Sequence, residues 1–436
     1  QARSARMFPM PLDLTTYREP RPAPVLDRVR VGFGVIAGSV AGIASRLAGR
    51  GSGASIRGKV LMTVAPNALR TLLPGRTIAV VSGTNGKTTT THFLTAAISQ
   101  SLSRPDRVVT NADGANLHHG IASALASHPR SDIAILETDE RVVPDVVRLG
   151  KPAVLVLLNF SRDQMDRHHE IKALGRGWRT ALENAGDDGP VVVANADDPL
   201  VVWSAETAKR VVWVDTATRW SQDSTLCPAC GAVLTHTDDR WDCPACPLTQ
   251  PTAAYVVGKD SVNLPDGTTH YLNLQVPGSF NVSNAACALA AAAELGVDAE
   301  TAIAGMGTVT SPAGRYATAN IGGTTARLLL AKNPAGWAES IPLTDTETVI
   351  LAIDSAAADG KDVSWLWDVD YEQLAGRTVV VTGPRAQDLA VRLAYGEVAH
   401  TVIPDLAEAL RGHAEPVDVI ATYTPFQRLR KLGGLA

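Results

Sequence analysis

The chain has 436 residues, of which 45% are hydrophobic and 19% charged, with a net charge of -4. This length predicts two or three domains with sizeable cores. The negative charge balance argues against a general nucleic-acid binder. Apolar runs stay short of the 18 residues of a membrane span, and the five cysteines do not resemble a secreted disulfide framework. We therefore expect a cytoplasmic protein.

The first 50 residues are basic, with eight arginines against three acids. Residues 1–30 are rich in arginine and proline, so we expect them to be irregular. Residues 31–44 form an apolar segment that is too short to span a membrane. Two interpretations stay open for this segment. It is either a helix packed on the next domain or a basic-flanked contact with the membrane surface.

A glycine-rich turn organises the rest of the chain. A strand predicted at 77–81 leads into this turn, and a helix predicted at 87–99 leaves it. The turn itself reads Gly83, Thr84, Asn85, Gly86, Lys87, Thr88. Strand, glycine-rich turn, Lys-Thr and helix is the layout of a phosphate-binding loop. Lys87 would meet the β- and γ-phosphates, and the Thr88 hydroxyl would bind Mg²⁺. Val81 stands where the general pattern has its first glycine, so the loop is a shortened variant.

Strands and helices alternate beyond the loop. We predict strands at 107–110, 132–137, 153–158 and 190–194, and helices at 115–126 and 172–184, which indicates an α/β unit with a largely parallel sheet. Polar clusters follow these four strands, beginning at Asn111, Glu137, Asn159 and Asn195. Ligands of such sheets bind at the carboxyl ends of the strands. We therefore predict a site there, with Glu137 as a ligand of nucleotide-bound Mg²⁺.

Four cysteines come in two pairs of C-x-x-C spacing, at Cys227, Cys230, Cys243 and Cys246. Four thiolates at this separation can close tetrahedrally on Zn²⁺ and leave no open position for a substrate. The pattern therefore predicts a structural zinc ribbon at about 215–256, inserted in the α/β unit. The alternative is two redox pairs or free thiols.

The last part of the chain starts a second α/β pattern. A helix predicted at 283–295 begins near Asn281 and Asn284, and a turn then delivers Arg315. Beyond it we predict strands at 325–330, 348–353, 378–382, 399–403 and 418–422, with helices at 386–394 and 405–411. Residues 359–368 follow a strand end and are rich in acids and tryptophan, so we interpret them as part of a site.

These motifs, in this order, resemble the Mur ligases, which are ATP-dependent enzymes that join an amine to a carboxylate in peptidoglycan assembly. The resemblance rests on the loop at 83–88, Glu137, the block 159–167, Asn-Ala-Asp-Asp at 195–198, the Asn281 and Asn284 helix, and Gly314-Arg315. The four-cysteine insert and the stretches 332–336 and 358–365 narrow it to the MurT family. Members of that family are the ligase-like subunits of lipid II isoglutaminyl synthases. The resemblance covers roughly residues 50–430.

The resemblance implies an α/β fold with a Mur-ligase-like central ATPase domain, its parallel sheet and an inserted four-cysteine zinc ribbon, followed by a smaller Rossmann-like domain. We expect a basic segment at 1–50, the ATP-binding domain at 51–316 and the C-terminal domain at 317–436. The implied partner is a GatD-type glutaminase subunit in a heterodimer. The implied substrate is lipid II or a related muropeptide, and the implied location is cytoplasmic, at or near the inner face of the plasma membrane.

The implied reaction amidates the α-carboxylate of D-glutamate to D-isoglutamine through an acyl phosphate, with ammonia that the partner makes from glutamine. The cofactors are ATP, Mg²⁺ and structural Zn²⁺. By the same resemblance, Thr88 and Glu137 would bind Mg²⁺, Lys87 the phosphates and Asn284 the adenine side of ATP. Arg315 would stabilise charge on the phosphoryl group. Asp362 would complete a Cys-His-Asp triad with the partner's cysteine and histidine.

The sequence also departs from the Mur ligase pattern. Asp163-Gln164 stands where many of these ligases have Asp-His, and the lysine that they carbamylate has no clear counterpart, which puts a second metal site in doubt. Two alternatives stay open for the function. One is a stand-alone amino-acid ligase of the Mur or folylpolyglutamate type, and the other is a nucleotide-binding scaffold that regulates a partner.

Overall fold

The computed structural model describes residues 25–47, 54–111, 115–161, 171–217, 224–237, 240–310, 316–356 and 359–435. Three helices come first, α1 (Val25–Leu47), α2 (Ala54–Val64) and α3 (Ala68–Leu72). Across these ranges, no helix combines the length and the apolar character that crossing a membrane requires.

The first α/β unit follows these helices. Its elements are β1 (Thr77–Ser82), α4 (Lys87–Ser101), β2 (Val108–Thr110), α5 (His118–Ser127), β3 (Ile133–Glu137), α6 (Val143–Gly150), β4 (Val154–Leu157), α7 (Ile171–Ala185), β5 (Val191–Asn195), α8 (Pro199–Ala205) and β6 (Val211–Asp215). The unit continues with β7 (Thr235–His236), β8 (Trp241–Asp242), β9 (Tyr255–Val257), β10 (Ser261–Asn263), β11 (Thr269–Tyr271), α9 (Ser279–Glu294) and α10 (Ala299–Met306).

Nine described strands form one sheet in the order β11-β10-β9-β6-β5-β4-β1-β3-β2. All neighbours from β2 to β9 are parallel, and β10 and β11 add an antiparallel edge. The central strands are apolar on both faces because helices cover both sides. Ala79 and Val81 of β1 pack with α4 and α9, while Ile78 and Val80 belong to the core on the opposite face. The sheet therefore places β1 between β4 and β3, with the loop after it beside the ends of both strands.

A second, six-stranded sheet is built by the rest of the described chain. Its elements are β12 (Tyr316–Ile321), β13 (Thr324–Leu330), α11 (Pro334–Ser340), β14 (Thr348–Ala352), β15 (Thr378–Thr382), α12 (Ala386–Tyr395), β16 (His400–Val402), α13 (Leu406–Ala409), β17 (Val417–Ala421) and α14 (Tyr423–Leu432). The strand order is β12-β13-β17-β14-β15-β16, and only the β12–β13 pair is antiparallel. The predicted α/β class with parallel-rich sheets is confirmed.

The structure corrects the sequence-based elements at several points. Residues 25–30, predicted to be irregular, belong to α1, which packs closely on α2 through small residues. A Cβ atom at Gly34 would lie 2.8 Å from Leu61 Cδ1. The helix predicted from 283 begins at Ser279, so Asn281 and Asn284 lie inside its first turns. Among the elements that were not predicted are the strands β6 and β9 to β12 and the helices α6, α8, α10, α11 and α14.

Candidate functional site

The glycine-rich turn joins the buried strand β1 to the start of α4. Gly86 precedes the helix with φ of 82°, a left-handed conformation that favours glycine. A Cβ atom at Gly86 would lie only 2.3 Å from Oδ1 of Asn284. The turn is also held from β4, because Asn85 N donates to Asn159 Oδ1 at 2.8 Å. This is a rigid cradle of backbone amides at a helix N-terminus, the geometry that binds phosphate.

Lys87 is buried within this cradle. Its ammonium donates to the carbonyl oxygens of Gly83 and Thr84 and pairs with Glu140 Oε1 at 3.1 Å. Burial lowers the pKa of Lys87, but the carboxylates of Glu140 and Glu137 outweigh it, so the pKa lies above its ordinary value. The lysine is therefore a fixed positive charge beside the turn. All three of its donors are used in this arrangement, so a phosphate would have to replace one of these acceptors, such as Glu140.

Glu137 ends β3 next to the turn, since Val81 of β1 pairs with it in the parallel register. Its side chain is buried, and Oε1 accepts a hydrogen bond from Asn116 Nδ2 at 3.0 Å. Asn111 brackets its backbone, accepting from Glu137 N at 2.9 Å and donating to Glu137 O at 2.8 Å. Among the described residues, Oε2 has no hydrogen-bond partner. A buried carboxylate oxygen without a partner fits a hard cation such as Mg²⁺.

Thr88 follows Lys87 in the first turn of α4 and is buried. The sequence predicted Thr88 and Glu137 as joint magnesium ligands. The structure brings both to the carboxyl edge of the sheet, one after β1 and one at the end of β3. That arrangement is compatible with the prediction, which stays a prediction.

A narrow cleft opens beside the loop, and residues of both α/β units line it. Its walls carry asparagines, acids and a few apolar side chains: Asn85, Leu158, Asn159, Phe160, Ser161, Asn195, Asp197, Asp198, Thr216, Ser224, Phe280, Ser283, Asn284, Cys287, Ala335 and Glu339. Three of the four predicted strand-end clusters therefore reach the loop or this cleft, and the fourth, at Asn111, holds Glu137. A cleft with one phosphate-binding end and an amide-lined wall suits a nucleotide.

The second α/β unit contacts the loop directly through Asn333. Its Nδ2 donates to Asn85 Oδ1 at 3.1 Å, while its Oδ1 caps α11 by accepting from Gly336 N at 2.9 Å. Asn333 was not predicted as a site residue. Asn followed by Pro334 at a helix start was the available signal, but it indicates a cap and not a contact across units.

Some predicted site residues cannot be placed. Arg315 and the block from Arg162 to Arg167, which includes Asp163-Gln164, lie outside the described residues. Their roles stay predictions. Two acids that were not assigned a role do reach the site. Glu140 pairs with Lys87, and Asp197 accepts hydrogen bonds from Thr216 in the wall of the cleft.

The four clustered cysteines lie together in the insert between β6 and β9. Their sulfurs are all within 4.8 Å of one another, with Cys227 and Cys246 at 3.6 Å and Cys230 and Cys243 at 3.5 Å. Thiolates at Zn–S distances of about 2.3 Å lie roughly 3.8 Å apart in a tetrahedron. The cluster therefore fits a closed structural zinc site.

The insert is attached to the cleft wall by two side chains. Trp241 Nε1 donates to Ala196 O at 3.1 Å, and Gln250 Nε2 donates to Asp197 Oδ1 at 2.9 Å. The other oxygen of Asp197 accepts from Thr216. The ribbon thus holds the strand-end loop that lines the cleft.

Asp362 lies on an exposed turn of the second unit. It accepts a hydrogen bond at Oδ1 from Ser364 N at 2.8 Å, at the start of a short 3₁₀ helix, Ser364–Asp368. Asp359, close to it in sequence, is buried and caps α14 by accepting from Thr424 N at 2.8 Å. Of these two acids, Asp362 is the one that is presented on the surface.

An exposed aromatic pair accompanies Asp362. Trp367, on the same 3₁₀ helix, is 53% exposed and packs edge-to-face on Tyr395, with ring centroids 5.3 Å apart. Aromatic side chains of this kind are enriched at protein interfaces. This part of the second unit is therefore a candidate contact surface.

Comparison with known proteins identifies relatives over most of the chain. Residues 81–292 match the Mur ligase middle domain, and residues 330–426 match the MurT ligase C-terminal domain. The subunit MurT of the lipid II isoglutaminyl synthase (glutamine-hydrolyzing) of Staphylococcus aureus (strain N315) is 31% identical, over 83% of this chain and 86% of its own. The MurT subunit of Streptococcus pneumoniae is 27% identical, over 92% of this chain and 96% of its own.

Among solved structures, a pseudomurein peptide ligase type C from Methanothermus fervidus has a similar fold. The TM-score is 0.64 at 18% sequence identity, over 84% of this chain and 80% of the other. At this identity the likeness establishes the fold and nothing finer.

Proposed function

The chain belongs to the MurT family of Mur ligases, and we propose that it is the ATP-dependent subunit of a lipid II isoglutaminyl synthase. In this proposal it amidates the α-carboxylate of D-glutamate in the stem peptide of lipid II, or of a related muropeptide, to D-isoglutamine. The observation that carries the proposal is the buried Lys87 close to Glu137, whose Oε2 has no hydrogen-bond partner among the described residues, in a chain 31% identical to the MurT subunit of Staphylococcus aureus.

A carboxylate is a poor acyl donor, and in the proposed chemistry ATP activates it by phosphorylation. One carboxylate oxygen attacks the γ-phosphorus of ATP, ADP leaves, and an acyl phosphate forms. Ammonia then attacks the acyl carbon and loses a proton, and phosphate leaves. Lys87 and the amides of the turn would stabilise the phosphoryl charge, with Arg315 in support. Mg²⁺, when bound at Thr88 and Glu137, would offset the negative charge of the phosphates.

Ammonia has to come from another protein in this proposal. Four of the five cysteines belong to the ribbon, and the fifth, Cys287, is fully buried in α9. Burial raises the pKa of the Cys287 thiol to about 12, so it stays protonated and is a poor nucleophile. We infer that a GatD-type glutaminase supplies the ammonia as the other half of a heterodimer.

Asp362 is the residue through which this chain would assist that glutaminase. An exposed carboxylate can enter a partner's active site, hold a histidine in the right tautomer and stabilise its charged form. Trp367 and Tyr395 would provide contact area beside it. We accordingly assign residues 51–316 to ATP binding and 317–436 to the partner contact. The lipid carrier of the substrate would place the reaction at the inner face of the plasma membrane.

The test is amidation of lipid II by the chain with its glutaminase, ATP and Mg²⁺, with either glutamine or ammonium as nitrogen source. Asp362→Asn should lower the rate of glutamine-dependent amidation by up to about 10⁴-fold, the loss typical of a triad aspartate. The rate of ammonium-dependent amidation should be unchanged. Asp370→Asn, a change at another exposed aspartate nearby in the chain, is the matched control and should affect neither.

Other outcomes would identify a different function. Equal loss with both nitrogen sources in Asp362→Asn would refute the triad role. Peptide-bond formation by the chain alone, with ATP and an amino acid, would identify a stand-alone ligase. A Glu137→Ala variant that still binds ATP and leaves all activity of the partner enzyme intact would identify a regulatory scaffold.

A further inference from the structure

One face of helix α1 carries a row of large apolar side chains that the described structure leaves exposed. We name it the apolar stripe: Val29, Phe33, Ile36, Val40 and Ile43. Their exposed fractions lie between 49% and 66%. The spacing of four, three, four and three residues keeps the stripe within an arc of about 80° and extends it for about 21 Å. Val25 and Leu26 are also exposed at its N-terminal end.

The opposite face of α1 packs on α2. Val31 is buried there, and Gly34 and Gly38 allow α2 to approach closely, since a Cβ at Gly38 would lie 2.6 Å from Arg57 O. The stripe therefore cannot turn inward without breaking the α1–α2 contact. An apolar surface of this length on a rigidly packed helix is a mark of a binding face and not of scattered surface exposure.

The charges around the stripe favour an anionic occupant. Arg28 and Arg30 lie about 100° to either side of Val29 on the helix, and both are exposed. The acid of this turn, Asp27, lies about 160° from the stripe, on the packed side. Lys59 of α2 is exposed as well. Apolar side chains flanked by arginines are typical of helices that lie in the plane of a membrane interface.

We propose that the apolar stripe docks the protein on an anionic lipid bilayer, with Phe33 and Ile36 inserted at the level of the headgroups and Arg28 and Arg30 on lipid phosphates. The choice of a bilayer rests on the proposed function, because a lipid-borne substrate is reached at a membrane surface. The helix lies on the bilayer and does not cross it, in keeping with the absence of a spanning helix among the described residues.

Packing connects this docking surface to the candidate active site. Gly58 of α2 is in such close contact with α5 that a Cβ would overlap His119 O. The segment just before α5 carries Asn116, which holds Glu137. Docking through α1 would therefore fix the position of Glu137, at the end of β3, relative to the lipid surface. The connection runs from α1 through α2 to α5.

The test is flotation of the full chain, with and without its glutaminase, on vesicles of about 30% phosphatidylglycerol in phosphatidylcholine and on pure phosphatidylcholine vesicles. We expect flotation on the anionic vesicles that weakens as salt is raised. The double change Phe33→Ser/Ile36→Ser should lower vesicle partitioning at least about tenfold. Arg28→Gln/Arg30→Gln should lower it about fivefold per arginine on anionic vesicles only. Tyr271→Ser, at an aromatic residue of β11 that is 75% exposed, is the control and should change nothing.

Two further measurements separate docking from catalysis. Amidation of a soluble muropeptide without the lipid should be unchanged in Phe33→Ser/Ile36→Ser, while amidation of vesicle-borne lipid II should fall. If the unsubstituted chain amidates neither the soluble muropeptide nor vesicle-borne lipid II, the proposed function is refuted. The docking proposal is then judged by the flotation measurements alone. Flotation that the double change does not affect would overturn the docking proposal. So would a lipid-independent dimer that the double change dissociates, or flotation that the glutaminase abolishes.

Discussion

The close approach of Asn284 to Gly86 predicts a specific effect of the substitution Gly86→Ala. Gly86 has φ of 82°, and a Cβ there would lie 2.3 Å from Asn284 Oδ1. Placing alanine in a left-handed conformation costs about 1–2 kcal/mol. Asn284 must also move, and with it the hydrogen bond that it donates to Asn281 Oδ1 at 3.2 Å, worth about 1 kcal/mol. We expect Gly86→Ala to lose about 2–3 kcal/mol of unfolding free energy.

Gly267→Ala provides the matched control for this substitution. Gly267 has φ of 86°, nearly that of Gly86, but no atom of the described chain lies within 4 Å of a Cβ built there. It should therefore show the backbone cost of about 1–2 kcal/mol without the contact. The difference between the two variants isolates the clash with Asn284.

The assays are urea unfolding and calorimetric titration with ATP and Mg²⁺. If Asn284 contacts the nucleotide, Gly86→Ala should weaken ATP binding about tenfold, which corresponds to about 1.4 kcal/mol, while Gly267→Ala leaves the Kd unchanged. Adding Asn284→Ala to Gly86→Ala should cost less stability than the two changes summed, because the clash is already relieved. Equal stability losses in the two glycine variants, or unchanged ATP binding in Gly86→Ala, would refute this reasoning.

Three other predictions concern single side chains. Glu137→Gln should raise the Mg²⁺ concentration needed for ATP binding by about tenfold or more in calorimetric titrations, because a carboxylate ligand is lost; an unchanged Mg²⁺ dependence would contradict it. Asp418 is buried and 2.5 Å from Arg327 Nε. Burial alone would raise the pKa of Asp418. The hydrogen bonds from Arg327 and from the amides of the 345–346 turn together lower the pKa by more than burial raises it, so the pKa lies below its ordinary value. Its stabilising effect is then present above about pH 4 and is lost as pH falls through the folded-state pKa. Asp418→Asn should cost about 3 kcal/mol at pH 7 and flatten the acid limb of a stability profile, and an unaltered limb would argue against it. Cys230→Ser should lower the free energy of unfolding by several kcal/mol while reducing kcat per folded molecule less, and a folded, metal-free, inactive variant would count against a structural ribbon.

The strand, turn and helix layout around residues 83–88 was predictable because its signals are local. A buried strand, two glycines and Lys-Thr are consecutive in the chain, and each has one physical reason to be there. The central strands were predictable because both of their faces are covered, which makes them continuous apolar runs. The strands β9, β10 and β11 have three residues each, which is too short for a pattern that the sequence alone would reveal, so their pairing in the sheet defines them.

Contacts between segments that are distant in the chain could not be predicted from the sequence. Asn333 and Asn85 are 248 positions apart, and nothing near either residue indicates their hydrogen bond. The same holds for Asn116, which anchors Glu137 across 21 positions. For helix α1, only the start was missed. Residues 31–44 were interpreted as either a packed helix or a membrane contact, but residues 25–30 contain arginines of a basic segment and were expected to be irregular.

The four-cysteine insert interrupts the chain between two strands that are neighbours in the sheet. Val214 of β6 pairs with Tyr255 of β9, and everything between them has to leave the sheet and return. Tying Cys227 to Cys246, 19 positions apart, shortens that excursion by roughly half, which changes the loop-closure entropy by only about 0.6 kcal/mol. On this estimate the sheet does not need a metal at the cysteines to complete its strand order. Scarce zinc would instead lower the stability of the insert, and with it the anchor of the insert on Asp197, while the parallel sheet and the loop after β1 would still form.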